Sequence, residues 1–207
     1  MSEQETNLDG PEVLSFSVIQ EKKPCVLLGV SGGVAAYKAV DLASKLTALG
    51  AAVKTVMTQN ACRFVGAKSF EAVTDQAVFT SLWSSPEEYR STHIALVDWA
   101  DLVVVAPATA NIIAKAANGI CDDLLSTTLC AAWHKPMLLA PAMNCNMWAN
   151  PAVQRNVQTL KDAGVRLAGP VEGRLANGAV GMGRMAEPRQ ILAAIEEILS
   201  QTQHDGK

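Results

Sequence analysis

The chain has 207 residues, enough for one domain with a sizeable core, and 49% of them are hydrophobic. A net charge of −3 excludes the basic footprint of a nucleic-acid binder and the polybasic patch of a membrane-surface protein. Aromatic residues are only 5%, and the Ala, Val and Leu that dominate suit a parallel sheet covered by helices better than a β-sandwich. No apolar run reaches the length of a membrane span and the polar start lacks a signal-peptide pattern, so a cytoplasmic protein is expected. Five scattered cysteines (Cys25, Cys62, Cys121, Cys130 and Cys145) form no C-x-x-C pair, which argues against a disulfide framework and against a metal site. They read as small buried hydrophobes.

In chain order, residues 1–23 are polar and weakly periodic, and read as a mobile N-terminal arm. Residues 24–200 read as one domain, and 201–207 as a C-terminal tail. Pro24–Val30 is an apolar run of strand length, followed at once by Ser31-Gly32-Gly33 and by helical spacing from Val34 to Leu49, which Gly50 stops. Val53–Met57 is a second strand, closing a right-handed βαβ unit. Thr58-Gln59-Asn60 opens a short helix through Val65. Ser69–Tyr89 reads as an excursion from the sheet, and His93–Trp99 as a short amphipathic piece. Leu102–Ala106 is the most strand-like run, leading into Pro107–Asn111 and a helix ended by Gly119. Asp122–Trp133 is a further helix, suited equally to a subunit interface or to the interior. Pro136–Ala140 is the fourth strand, Pro151–Ala163 a helix with proline near its first position, and Val165–Ala168 a fifth strand. Gly169–Arg184 holds five of the 14 glycines and reads as a loop; Glu187–Ser200 is a closing amphipathic helix. Alternating strands and helices predict an α/β fold with a doubly wound, mainly parallel sheet and helices on both faces.

In such folds ligands sit at the carboxyl ends of the strands. Gly29–Gly33 occupies the phosphate-cradle position, where free N–H groups and a helix dipole favour an anion; a tight turn with packing glycines is the plainer reading. The second strand ends without a carboxylate to hold an adenine ribose, which favours a mononucleotide such as FMN over a dinucleotide. Thr109 reads either as a plain helix cap or as a contact to a ring or phosphate. Ala140–Trp148 (A-P-A-M-N-C-N-M-W) places the amides of Asn144 and Asn146 and the apolar Met143 and Met147 at the sheet edge, though Met and Trp there equally cover a core. His93 is one of three histidines and can serve as a base near neutral pH or be structural. The glycine-rich loop reads as a flap that excludes water, with Arg174 and Arg184 able to bind a phosphate or carboxylate, or as a plain solvated loop.

Taken together, P-A-M-N-C-N-M-W at 141–148, S-G-G-V-A-A-Y-K at 31–38, His93 before W-A-D, P-A-T-A-N at 107–111 and G-M-G-R-M-A-E-P at 181–188 resemble the homo-oligomeric flavin-containing cysteine decarboxylases. The resemblance runs from about Pro24 to Leu199 and points within the family to the branch acting on phosphopantothenoylcysteine in coenzyme A biosynthesis. It implies FMN around Gly32, Gly33, Val34, Thr58, Asn60, Thr109, Ala110, Asn111 and Met143. It implies a homotrimer or higher assembly with the site between subunits and His93 as the base from a neighbour. Asn144 would bind the carboxylate of a small cysteine-conjugate substrate, and Arg174, Ala176 and Met185 would belong to the covering flap. The family's flap reads L-A-C-G, with the Cys as acid for the final reduction; here Leu175-Ala176-Asn177-Gly178 puts Asn177 at that position, and an amide is no acid at neutral pH. The alternative implied by Asn177 is an oxidative decarboxylase of peptidyl C-terminal cysteine, whose product is the enethiol.

Overall fold

The computed structural model describes residues 23–83, 91–174, 178 and 180–205. Nearly all of the N-terminal arm and the flap positions Ala176 and Asn177 lie outside the described residues. Six parallel strands form the central sheet: β1 (Cys25–Val30), β2 (Ala52–Met57), β3 (Val78–Phe79), β4 (Leu102–Ala108), β5 (Met137–Pro141) and β6 (Arg166–Leu167), in the order β3-β2-β1-β4-β5-β6. The helices are α1 (Ala36–Ala48), α2 (Ala67–Thr74), α3 (Thr92–Trp99), α4 (Ala110–Asn118), α5 (Leu124–Ala131), α6 (Cys145–Trp148), α7 (Pro151–Asp162) and α8 (Pro188–Asp205). The doubly wound fold expected from the alternation is present.

β4 lies between β1 and β5 and is buried along its whole length, which is why its sequence is apolar without alternation. Its side chains still divide by parity as far as Ala106, and an irregularity in register between Val105 and Ala108 turns Ala108 to the odd-numbered face. Leu102, Val104 and Ala106 enter a core layer with Leu42 and Leu46 of α1, Phe70 of α2, and Ile191 and Ile195 of α8. Val103, Val105 and Ala108 enter the opposite layer with Leu96 of α3, Ile112 and Ile113 of α4, Leu125 of α5 and Leu160 of α7. Gly29 of β1 makes room for this second layer, since a Cβ there would stand 2.5 Å from Leu125 Cδ1. α5 is thus a core helix, with a capping box between Asp123 and Ser126 at its start. The helix stops short of the expected Trp133, which lies just beyond its end and is 82% exposed.

Several expectations need correction. The first part of Ser69–Tyr89 is no excursion from the sheet, since Phe70 is fully buried and anchors α2, and β3 pairs with β2 at the sheet edge; residues 84–89 lie outside the described residues. A two-residue strand is too short to carry a periodic signal. The glycine-rich stretch contains an antiparallel hairpin of β7 (Val171–Arg174) and β8 (Val180–Arg184), where Gly173, Gly181 and Gly183 serve close approach to neighbouring residues. Residues Cys145–Trp148 form a single helical turn, capped by Asn144. α8 continues past Ser200 to Asp205. None of the five cysteines is fully buried: Cys25 and Cys145 are half-buried, while Cys62, Cys121 and Cys130 are exposed. Among the described residues no helix is long and apolar enough to cross a membrane.

Candidate functional site

Strand order reverses between β1 and β4: the chain leaves β1 for α1 on one face and β4 for α4 on the other. The crevice opened by that divergence is the general ligand position of open α/β sheets. Here it widens into a cleft of about 950 Å³ walled by the loops after β1, β2, β4 and β5 and by the β7–β8 hairpin.

The floor is tied across the divergence. The Ser31 hydroxyl donates to Pro107 O at 2.7 Å, accepts the Thr109 N–H at 3.0 Å and meets Thr109 Oγ1 at 3.0 Å. Thr109 therefore sits at the N-cap position of α4 without capping it, its hydroxyl being engaged by Ser31. Gly32 is required for packing: a Cβ there would stand 2.4 Å from Asn60 Cβ and 2.8 Å from Asn60 C. The loops after β1 and β2 thus close on each other, and the plainer reading holds for that glycine.

Both helices that begin at the cleft begin open. α1 and α4 have no side-chain cap and no acidic residue in the first turn. Among the described residues, the N–H groups of Gly33, Val34 and Ala35, and those of Ala110 and Asn111, have no hydrogen-bond partner. Free donors at two converging positive helix ends make a site for a phosphate group.

Beyond β5, Met143, Asn144 and Met147 line the wall. Asn144 Oδ1 accepts the Asn146 N–H at 2.9 Å and so caps α6, which leaves Nδ2 as a donor without a partner among the described residues. The hairpin is clamped onto this loop by the Met143 N–H, which donates to Gly183 O at 2.9 Å. Arg174, Arg184 and Met185 bring the hairpin to the cleft.

Lys38, Lys115 and Arg184 on the walls are ion-paired. Lys115 bridges Asp122 at 2.6 Å and Asp123 at 2.9 Å. Burial alone draws Lys115 down, but its bonds to the two aspartates prevail and hold it above the ordinary value, hence charged. Lys38 Nζ lies 2.8 Å from Glu187 Oε1, and Arg184 bonds the same oxygen. The Lys38 bond, against a desolvation cost, holds the Glu187 carboxyl below its ordinary 4.5. A depressed acid stabilises the fold above its unfolded pKa and loses that effect as pH falls through the folded one. Replacing Glu187 by Gln is expected to lower Tm by about 1–2 °C at pH 7, with the gap closing as the pH falls below 4.5. Melting curves of both proteins between pH 3 and pH 7 check it; a gap that persists at pH 3 refutes the assignment.

Of the residues expected at the site, Gly32, Gly33, Val34, Thr58, Asn60, Thr109, Ala110, Asn111, Met143, Asn144, Arg174 and Met185 are brought together in this one cleft. Thr58 also holds the turn after β2, its hydroxyl accepting the Ala61 N–H at 3.1 Å. His93 is half-buried on α3 and is not among the cleft-lining residues of its own chain. Tyr37, Lys38, Lys115 and Asp123 line the cleft without having been singled out. Helical spacing was the available signal: Lys38 and Lys115 lie within the first two turns of α1 and α4.

A profile of the Flavoprotein family matches residues 16–200. The chain belongs to the Flavoprotein family. Among curated relatives of this flavoprotein, the coenzyme A biosynthesis bifunctional protein CoaBC of Bacillus subtilis (strain 168) is 50% identical over 172 residues, 83% of this chain but 42% of that protein. The chain thus spans about two fifths of the length of that relative. A solved structure of a PPC decarboxylase mutant complexed with pantothenoylaminoethenethiol is similar with a TM-score of 0.78 and 38% identity, covering 86% of this chain and 99% of that one. The FMN binding protein AtHal3 is similar with a TM-score of 0.74 and 38% identity, over 84% of this chain and 96% of that one.

Proposed function

We propose that this flavoprotein is an FMN-dependent decarboxylase of 4'-phosphopantothenoylcysteine, acting in coenzyme A biosynthesis in the cytoplasm. The observation that carries the reading is one cleft shared by two open helix starts and by Asn144, whose Nδ2 is a donor without a partner among the described residues. The names of the similar proteins, a CoaBC and a PPC decarboxylase, support the same chemistry.

The residues fit the cofactor. The free N–H groups of Gly33, Val34 and Ala35 and of Ala110 and Asn111 match a phosphate, with Thr58, Asn60 and Thr109 beside them and Met143 as apolar contact for a flat ring. Bound FMN supplies the two-electron acceptor without which a plain alkyl carboxylate cannot lose carbon dioxide, because the charge left behind has no sink. The protein's part is orientation and proton transfer. Asn144 Nδ2 donates to the substrate carboxylate and holds its C–C bond in one orientation. Met143 and Met147 keep water from the reacting carbon. The imidazole of His93 takes the substrate's proton. Because His93 stands outside its own chain's cleft, we assign it to the cleft of a neighbour in a homotrimer, a reading supported by the exposed Ile94 beside it. Arg174 and Met185, which line the cleft, cover the bound substrate.

Asn177 favours a second reading, oxidative decarboxylation of a peptidyl C-terminal cysteine to an enethiol, because an amide cannot deliver the proton for a final reduction. The test is anaerobic incubation with phosphopantothenoylcysteine, with mass spectrometry of the product and the flavin spectrum followed together. Loss of carbon dioxide is the expected result. A product two hydrogens poorer than phosphopantetheine, with the flavin left reduced, means that Asn177 stops the cycle there. A saturated thiol with oxidised flavin means that another acid serves. Turnover of cysteine-ended peptides alone replaces the first reading with the second.

A further inference from the structure

The wall charges of the cleft are distributed unevenly. On one side Lys115 faces two aspartates, Asp122 and Asp123, so that cluster carries an excess of negative charge. On the hairpin side three cations line the cleft, Lys38, Arg174 and Arg184, and two of them share a single carboxylate oxygen of Glu187. Glu187 itself is not a lining residue. Its one negative charge leaves the hairpin side with excess positive charge facing the cavity.

Two further features hold this arrangement. Lys38 is nearly buried, its side chain 11% exposed, so its ammonium has little freedom to seek water. Arg184 runs across Gly173 of β7: a Cβ on residue 173 would stand 2.9 Å from Arg184 Cδ and 3.2 Å from Nη1. The absence of a side chain at Gly173 leaves the lane in which the guanidinium lies. A nearly buried ammonium and a guided guanidinium meet at one point and, with Arg174 beside them, leave two positive charges beyond Glu187, which match a dianionic phosphate monoester.

We propose that Lys38 and Arg184 form the subsite for the substrate's phosphate monoester, with Glu187 as the built-in counter-ion that holds the two cations together when no substrate is bound. The helix starts of α1 and α4 are a separate anion site, made of backbone N–H groups, and suit the cofactor's phosphate. The Lys115 side repels an anion. The phosphate end therefore lies toward the hairpin, and the carboxylate end lies at Asn144. This rests on the reading that the substrate is a phosphorylated cysteine conjugate.

The test is binding to the flavin-loaded protein of phosphopantothenate and of pantothenate, by calorimetry. Neither ligand carries the cysteine, so no turnover intervenes. The readout is the ratio of the two affinities. The wild type is expected to prefer the phosphorylated ligand by about a hundredfold, and Lys38→Gln and Arg184→Gln each to cut that preference by about tenfold. Glu187→Gln removes the competing counter-ion and is expected to raise the preference. Arg184 lies on the half-exposed hairpin, so its variant keeps the test open if the Lys38 variant fails to fold. A wild type without preference, or cation variants with an unchanged ratio, overturns the proposal. So does a Glu187→Gln variant that loses the preference as the cation variants do, because the three residues would then be a strut rather than an anion site. A wild type that shows the preference but decarboxylates no phosphopantothenoylcysteine rejects the proposed reaction and leaves the subsite standing.

Discussion

Replacing His93 by Asn is expected to lower decarboxylation by about 10²–10⁴-fold while the protein still takes up flavin, because a positioned general base is worth that much and asparagine cannot accept the proton. The stronger form of the experiment mixes chains. A His93→Asn chain keeps an intact cleft, and an Asn144→Ala chain keeps an intact imidazole. If the base crosses from one subunit to the next, mixed assemblies contain some sites with both groups, and co-refolded protein regains activity that neither variant has alone. His93 lies on α3, which packs against α5 and β1 rather than on the cleft. Activity in the His93→Asn chain equal to wild type removes His93 from the mechanism. Loss of activity without recovery on mixing places the base and the amide in one subunit.

Gly183→Ala is the substitution expected to cost most outside the reacting groups. Gly183 has φ +147°, and a Cβ there would stand 2.3 Å from Met143 O and 3.3 Å from Asn144 C. The obstacle is backbone, so no side chain can swing away. The hairpin must lift from the loop that carries Asn144, or that loop must move. Strain and overpacking together are expected to lower stability by about 3 kcal/mol, and turnover by at least about tenfold, since an amide displaced by an ångström no longer orients the carboxylate. Gly178 provides the comparison: it also has positive φ, +84°, but a Cβ there meets nothing within 4 Å. Its change to Ala is expected to cost about 1 kcal/mol. Thermal melts and steady-state rates of the two variants decide it; a Gly183→Ala protein that melts and turns over like wild type refutes the clamp.

Legibility followed burial and local chemistry. The run Leu102–Ala106 was readable because a strand covered on both faces must be apolar throughout, and the loop after each long strand was readable because glycine, amides and hydroxyls collect where chain reverses. β3 was not readable, since its two residues belong to the sheet only through pairing with Thr55 and Val56. The hairpin was hidden for a related reason. Its glycines signal flexibility locally, yet Gly181 and Gly183 are there because Cys145 and Met143 press against them, and those contacts span more than 35 positions of chain. The cysteines misled because a small apolar side chain carries no mark of which face it occupies.

By itself the sequence determined the doubly wound class, the chemistry of the strand-end loops and the motifs that carry the family resemblance, because each is a property of residue type and spacing. Only the tertiary structure decided that Gly32 serves packing against Asn60, that the starts of α1 and α4 remain open while Ser31 engages Thr109, and that Lys38 and Arg184 meet at Glu187. These are relations between segments as many as 149 positions apart, and a relation of that kind exists only once the strands have set the loops side by side.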